Sequence, residues 1–366
     1  MHSTESKQPM KIKTIYLNHV GPLQQESIHF EDDWNSEIEA KILFTGTNGC
    51  GKSTLLRAIA MLWEATGYWL DHRKLMPQKQ VSKAWLQQWG GVAIVVDGVQ
   101  PFYEQSVGLV FGEMSWVDTL MANNPDIVWI GELVAGTGKP GKPKRTLHLP
   151  QEEWLNQWAE ERKKMILTHD KIDVPNIIYL DAEERRWVTP KRNLSESVPD
   201  QLSQRWLTQY VVTEDWNGQL EASLLALKTT RLHQFHEVVR HLNEFLVGKS
   251  IETDVKPGEN RLRVKLKNQR GAYHSLDELS AGEHQVLILI YLLSRWMQEG
   301  GIVLIDEPDL YLHPSLMEPL LVSIEQLVAA RHGQLIITSH AVDIWNRYDG
   351  RGRRIILDPS QQDQPL

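Results

Sequence analysis

The chain has 366 residues, enough for one elaborate domain or two ordinary ones, and its 41% hydrophobic and 23% charged residues have the balance of a soluble globular protein. A formal net charge of −8 excludes nucleic-acid binding by bulk charge, so any DNA contact must come from a local basic patch. The single cysteine excludes an intrachain disulfide and suits a cytoplasmic protein; Met1–Met10 lacks the apolar core of a signal peptide.

Residues 11–30 alternate with period two and break at Gly21-Pro22, which predicts a hairpin. Lys41-Ile42-Leu43-Phe44 reads as a short buried strand, and Thr54 to Trp63 as a helix. Between them lies Gly46-Thr47-Asn48-Gly49-Cys50-Gly51-Lys52-Ser53, which fits the phosphate-loop pattern at every fixed position. Glycines let backbone N–H groups converge on phosphate oxygens, and the helix N-terminus adds unpaired N–H groups and a favourable dipole. Gly46, Asn48, Gly49, Cys50, Gly51, Lys52, Ser53 and Thr54 are therefore the expected cradle of a nucleoside triphosphate. Lys52 would reach the β- and γ-phosphates, and the Ser53 hydroxyl would bind Mg²⁺. Cys50, inside the loop, reads as a small filler or as a redox-sensitive thiol.

Lys83 to Trp89 looks helical and ends at Gly90-Gly91. Short strands are expected at 92–96, 106–111, 126–130 and 146–149, separated by turns and forming an antiparallel layer. A Gly/Pro/Lys-rich loop, Gly136 to Arg145, separates the last two; it reads as a hairpin tip or as a contact for nucleic acid or a partner. Glu152 to Leu167 is helical, Asn176 to Leu180 a buried strand, and 190–216 polar and irregular. Leu220 to Leu246 reads as one long amphipathic helix or two, without the heptads of a coiled-coil arm. In the next strand Leu262, Val264 and Leu266 alternate with Arg261, Arg263, Lys265 and Lys267. That face is either a solvated edge or a phosphate-backbone contact. Twelve of the 14 tryptophans fall between Trp34 and Trp216, as core packing or as a large aromatic interface.

The C-terminal hundred residues carry the second half of the chemistry. Leu279-Ser280-Ala281-Gly282-Glu283 opens a very apolar helix whose run Val286–Leu293 is far too short to cross a bilayer and reads as buried core. Ser280, Gly282 and Glu283 would meet the nucleotide's phosphates at that N-terminus; the plainer reading is a capping box between Ser280 and Glu283. Gly301-Ile302-Val303-Leu304-Ile305 runs into Asp306-Glu307, so a buried parallel strand delivers two carboxylates at its carboxyl end. Asp306 would hold Mg²⁺ and Glu307 would act as general base on the attacking water.

Leu-Ser-Ala-Gly-Glu at 279–283 resembles the signature motif of ABC-type P-loop ATPases, in the form of the SMC/RecF/OLD-like branch. Asp306-Glu-Pro-Asp-Leu-Tyr-Leu-His-Pro314 resembles that branch's Walker B and following loop, and Gln334 to His340 its strand ending in a switch histidine. The resemblance covers residues 11–63 and 276–345. It implies an α/β ABC-ATPase head: a mixed or parallel phosphate-loop sheet, an antiparallel β layer and a helical lobe. The expected organisation is 1–85 as the N-terminal part of the head, 86–275 as an inserted β-rich and helical region, and 276–366 as the C-terminal part. It further implies ATP and Mg²⁺ as ligands, His340 beside the base, and a homodimer or higher oligomer with ATP sandwiched between the Lys52–Ser53 side of one subunit and the Ser280–Gly282 side of the other. The family's Q-loop glutamine has only weak candidates, Gln87 and Gln88, and no adenine-stacking residue is evident.

Three roles fit these motifs: an ATPase acting on DNA or controlling a nuclease in DNA repair or antiviral defence, the nucleotide-binding subunit of a membrane transporter, or a nucleotide-gated scaffold with little turnover. Glu283 in place of the transporter glutamine, and the long stretch between Ser53 and Ser280, favour the first. The 366 residues carry no Toprim or HNH motif, so a separate effector or nuclease protein is the expected partner.

Overall fold

The alternating N-terminal segment forms the expected hairpin, β1 (Lys11–Val20) and β2 (Leu23–His29), turning through Gly21 at φ 59°. In chain order there follow β3 (Lys41–Thr45), α1 (Lys52–His72), α2 (Val81–Leu86), β4 (Gly91–Asp97), β5 (Val107–Glu113), α3 (Met114–Asn123), β6 (Val128–Ala135), β7 (Lys144–His148), α4 (Glu153–Leu167), β8 (Ile177–Leu180) and β9 (Leu207–Gln209). The second half comprises α5 (Gln219–Thr230), α6 (Leu232–Phe245), β10 (Lys249–Ile251), β11 (Arg263–Leu266), β12 (Tyr273–Ser275), α7 (Ala281–Trp296), β13 (Ile302–Ile305), α8 (Pro314–Ala329), β14 (Gln334–Thr338), α9 (Val342–Arg351) and β15 (Arg353–Ile356). This computed structural model describes residues 9–32, 34–136, 144–187, 201–210, 219–255 and 261–357. Most of the Gly/Pro/Lys loop, most of 190–216 and the tail from Asp358 lie outside the described residues.

Two six-stranded sheets organise the molecule. One has the order β15-β3-β14-β13-β8-β9 and is parallel at every pairing. Its four inner strands β3, β14, β13 and β8 are short, mostly aliphatic runs without alternation, as burial on both faces requires. Residues 177–209, within the stretch read as an insertion, supply two of its strands. The other sheet has the order β2-β1-β4-β5-β6-β7. It was expected to be an antiparallel layer and is so at every pairing except β5–β6, which is parallel. The reason is α3, which crosses between those strands and returns the chain in the same direction. Its apolar residues Val117 and Leu120 cover Ala93, Val95 and Val110 on the outer face.

Helix α1 fills the space between the two sheets, and 14 of its 21 residues are buried. A helix covered on both sides needs apolar residues on most of its circumference, and this one has them. Ile42, Ile177, Tyr179, Ile302, Leu304 and Ile336 face α1. Their neighbours Leu43, Ile178, Leu180, Val303, Ile305 and Ile337 face the opposite layer of α5 to α8. The apolar run 286–293 is wholly buried in α7 there. Among the described residues no helix is long and apolar enough to cross a membrane.

The tryptophans of the middle stretch are largely core. Trp63 and Trp206 stack at 4.1 Å and 9°, and each indole N–H donates to the other residue's carbonyl at 3.0 Å. Trp158 packs on both, and Arg162 lies over Trp206. A Cβ at Gly67 would come within 2.6 Å of Arg162 and 2.7 Å of Trp206, so α1 needs a glycine at that turn. Trp34, 96% exposed, stands apart from this cluster.

Candidate functional site: a phosphate loop facing three strand ends

Strand β3 delivers the chain into the phosphate loop, and α1 leaves it from Lys52. Gly46, Gly49 and Gly51 have φ of 145°, 78° and 102°, conformations that side chains rarely adopt. A Cβ at Gly46 would strike the Leu357 carbonyl and the Cys50 sulfur, and one at Gly51 would strike Leu23 and Pro22. The β1–β2 turn is thus packed against the loop. Lys52 is curled into the loop, with Nζ donating to the Gly46 and Thr47 carbonyls at 3.2 and 3.1 Å and 3.7 Å from Cys50 Sγ. Cys50 is 1% exposed, and a Cβ at Gly46 would stand 2.7 Å from its sulfur.

Two strands away, β13 ends in Asp306 and Glu307, and β14 between them ends in Thr338-Ser339-His340. Parallel pairing in register brings these ends to one edge: Ile305 pairs with Ile337 and with Leu180. The Glu307 N–H donates to Thr338 Oγ1 at 2.9 Å, which leaves the hydroxyl proton for Asp306 Oδ1 at 2.6 Å. Asp306 is buried and its carboxylate direction is fixed by that bond. Glu307 Oε1 lies 3.5 Å from His340 Nε2, so the predicted base and switch histidine are neighbours. Burial and the adjacent Asp306 push the Glu307 carboxyl above the ordinary glutamate range, against the opposing pull of His340 and Lys52.

The signature segment forms the capping box expected as its plainer reading. Ser280 is the N-cap of α7; Glu283 N–H donates to Ser280 Oγ at 3.3 Å, and Ser280 N–H to Glu283 Oε2 at 2.8 Å. Lys249 adds a salt bridge to Glu283 at 2.9 Å. The Glu283 carboxylate is therefore engaged within the chain, although it was read as part of the nucleotide-contacting set. Ser280 is exposed, and Gly282 faces the Tyr311 carbonyl, where a Cβ would come to 3.1 Å. Gln87 and Gln88, the weak Q-loop candidates, make local contacts. Gln87 caps α2, and Gln88 hydrogen-bonds back to Ala84 in the same helix.

Three residues of this edge escaped the sequence reading. Thr338 lies within the strand read as ending in His340 and had no role of its own assigned. Asp181 ends β8 as Asp306 ends β13, after a similar aliphatic run, and accepts from the Tyr179 hydroxyl at 2.7 Å. Arg185, four residues on, is 1% exposed and donates through Nη2 to the Glu307 carbonyl at 2.7 Å. Burial pushes its guanidinium down to about 10, with Asp306, Asp181, Asp309 and Glu307 opposing that shift. The aliphatic run into Asp181 was a usable signal; nothing local marked Arg185.

The donors present suit Mg²⁺ and a triphosphate. The Ser53 hydroxyl and the Asp306 carboxylate are hard oxygens, and this cation usually takes one or two protein oxygens together with phosphate and water. Gly49 is open on the side where a Cβ would stand, so the loop leaves room for a ligand's oxygens.

Residues 148–342 match the family model described as "AAA domain, putative AbiEii toxin, Type IV TA system". The chain is 27% identical over 149 residues to "Probable ABC transporter ATP-binding protein p29" of Mesomycoplasma hyorhinis, covering 37% of this chain and 56% of that protein. It is 45% identical over 55 residues to an "Uncharacterized ABC transporter ATP-binding protein YcjV" of Escherichia coli O157:H7, 14% of this chain and 15% of that one. A third relative, "Protein ea59" of Escherichia phage lambda, is 38% identical over 63 residues, 17% of this chain and 12% of that protein. Among solved structures, an SMC head bound to the C-winged helix domain of ScpA aligns at TM-score 0.46 and 14% identity, over 90% of this chain and 89% of that one. The SMC head domain of Thermotoga maritima aligns at 0.43 and 14%, over 92% and 91%. The family model spans more than half of the sequence, and the protein is a member of this AAA-domain family of P-loop ATPases.

Proposed function

We propose that this protein binds Mg²⁺ and ATP at Gly46–Thr54 and hydrolyses the nucleotide, using the change to control a separate effector protein or a DNA contact. The observation that carries the reading is the convergence of the phosphate loop, Asp306, Glu307 and His340 on one edge of a parallel sheet. Lys52 exchanges its loop carbonyls for phosphate oxygens. Ser53 and Asp306 hold the cation, which supplies charge neutralisation at the phosphates. Glu307 accepts a proton from the attacking water, and His340 fixes the carboxylate from the other side. Ser280 and Gly282 complete the site from a second copy of the chain, so that closure of the pair follows nucleotide binding. Repair and antiviral defence are the settings proposed for this control.

The test is turnover and sedimentation with ATP and Mg²⁺. Lys52→Ala is expected to lose binding or turnover; unchanged turnover would remove the phosphate loop from the mechanism. Glu307→Gln is expected to bind ATP, stall and accumulate the closed dimer, which Ser280→Arg then prevents. Pull-down of the Glu307→Gln protein from its native cell identifies the partner. A soluble effector or DNA supports this reading. Stoichiometric recovery of an integral membrane protein supports a second one, a transporter's nucleotide-binding subunit, which the names of two relatives favour.

A further inference from the structure

We propose that Arg185 is a positioning residue for the catalytic base: its guanidinium, donating through Nη2 to the Glu307 carbonyl, holds the Glu307 peptide in the conformation that aims the Glu307 side chain. This rests on the reading of Glu307 as the base.

Glu307 has φ 45°, in the left-handed region. A non-glycine residue held there is strained and persists only where its surroundings over-determine it. Both sides of the residue are pinned. Its N–H is bonded to Thr338 Oγ1, and its carbonyl accepts from Arg185 Nη2 at 2.7 Å. The following Asp306–Tyr311 segment supplies a further turn bond, Leu310 N–H to the same Glu307 carbonyl at 3.1 Å. Thr338 is held as the last residue of β14, paired with Phe44 of β3. Arg185 is not on a strand, and its fixity has other sources.

Those sources are visible. The Arg185 carbonyl accepts from Gln285 Nε2 on α7, five residues after Ser280. Two residues on, Trp187 stacks on His284 of the same helix at 4.3 Å and 6° and donates to Asp277 at 2.8 Å. The segment 185–187 is thus clamped to the signature helix while its guanidinium reaches the base. Burying an arginine is costly, and the negative charges of Asp306, Asp181, Asp309 and Glu307 favour its charged form. Among the described residues Nε and Nη1 have no acceptor, and the hydrogen bond that the guanidinium makes there goes to the base peptide. A purely structural arginine would be expected to spend its donors on the fold. Arg205, in the same chain, does so, with bonds to the Met165, Thr168 and Asp170 carbonyls.

The test compares steady-state ATP turnover, nucleotide affinity and thermal unfolding in the full chain. Arg185→Lys keeps a cation but is too short to reach the Glu307 carbonyl. It is expected to lower kcat on the order of 10- to 100-fold, the usual result of displacing a reacting group by about 1 Å, with KM and ATP affinity within about twofold. Arg185→Ala is expected to lose kcat similarly and to regain part of it in added guanidinium at concentrations below those that unfold the protein. Wild-type kcat in soluble, folded Arg185→Lys, with only a lowered Tm, would overturn the proposal, because a structural role predicts that pattern. Equal losses in kcat and ATP affinity would overturn it too, placing Arg185 on the nucleotide instead. Glu307→Gln separates the two readings. If that variant turns over ATP normally, the base assignment fails; if it stalls while Arg185→Lys does not, only the positioning role fails.

Discussion

Thr338→Val replaces a hydroxyl by a methyl of nearly the same volume at a site with no exposure. The hydroxyl has two partners, and valine serves neither. Asp306 loses a donor at 2.6 Å, a bond to a charged group worth about 1.5–3 kcal/mol, and the Glu307 N–H is left buried without an acceptor, costing about 1–3 kcal/mol. Because the two effects share one atom and local relaxation recovers part, the expected destabilisation is about 2–4 kcal/mol. Thr338→Ser keeps the hydroxyl and gives up one methyl, about 1 kcal/mol. Urea unfolding of both variants measures the difference, and turnover at a temperature where both are folded reads the catalytic consequence. Valine is expected to lower kcat by at least tenfold relative to serine, because both the Asp306 carboxylate and the Glu307 peptide lose their anchor. If the valine protein unfolds at the same urea concentration as the serine protein and turns over ATP equally fast, the hydroxyl does not organise the strand ends and the reasoning is wrong.

Glu325 accepts from Arg347 Nε and Nη2 at 2.8 Å and from Lys41 Nζ at 2.9 Å, tying α8 to α9 and to the strand that feeds the phosphate loop. Burial raises its carboxyl, but the hydrogen bonds and charges of Arg347 and Lys41 outweigh that and hold it below the ordinary range. A depressed folded pKa gives stability that is present above the unfolded value of about 4.3 and lost as pH falls through the folded one. Glu325→Gln is therefore expected to cost about 2 kcal/mol near neutral pH and progressively less below pH ~4, as measured by urea unfolding across that range. Gly67→Ala is expected to cost about 1–3 kcal/mol from the clash with Arg162 and Trp206, seen as a lowered Tm without loss of ATP affinity in the folded protein. On the cationic strand, Arg261 is held by Glu221 and Asp277 at 2.9 and 2.7 Å and Arg263 lies over Tyr273, whereas Lys265 and Lys267 are exposed. If this strand meets DNA, Lys265→Ala with Lys267→Ala is expected to flatten the salt dependence of binding without lowering Tm, while Arg261→Ala lowers Tm. An unchanged salt slope returns the strand to a solvated edge.

Much of the site could be read from the chain because its parts are local. A phosphate loop needs its glycines, lysine and serine within a few residues, between a strand and a helix, and Gly46–Ser53 shows all of this. Asp306-Glu307 was legible for the same reason, directly following a run of aliphatic residues that burial in a parallel sheet demands, whereas His340, two residues beyond such a run, was marked by the family resemblance. The hairpin at Gly21-Pro22 and the core helix over 286–293 were equally plain, since periodicity and turn residues are properties of neighbours in sequence. What only the tertiary structure decided are relations between strands. That β8 lies beside β13, and so sets Asp181 and Arg185 against Asp306 and Glu307, depends on pairing across more than a hundred residues. The parallel β5–β6 pair depends on where α3 packs. The occupied partners of Arg261 and Glu283 depend on helices folding back over them. A sequence states which residue types are present and how far apart they stand along the chain; hydrogen-bond partners, burial and left-handed backbone are fixed when distant segments compete for the same space, and Arg185 acquires its place only there.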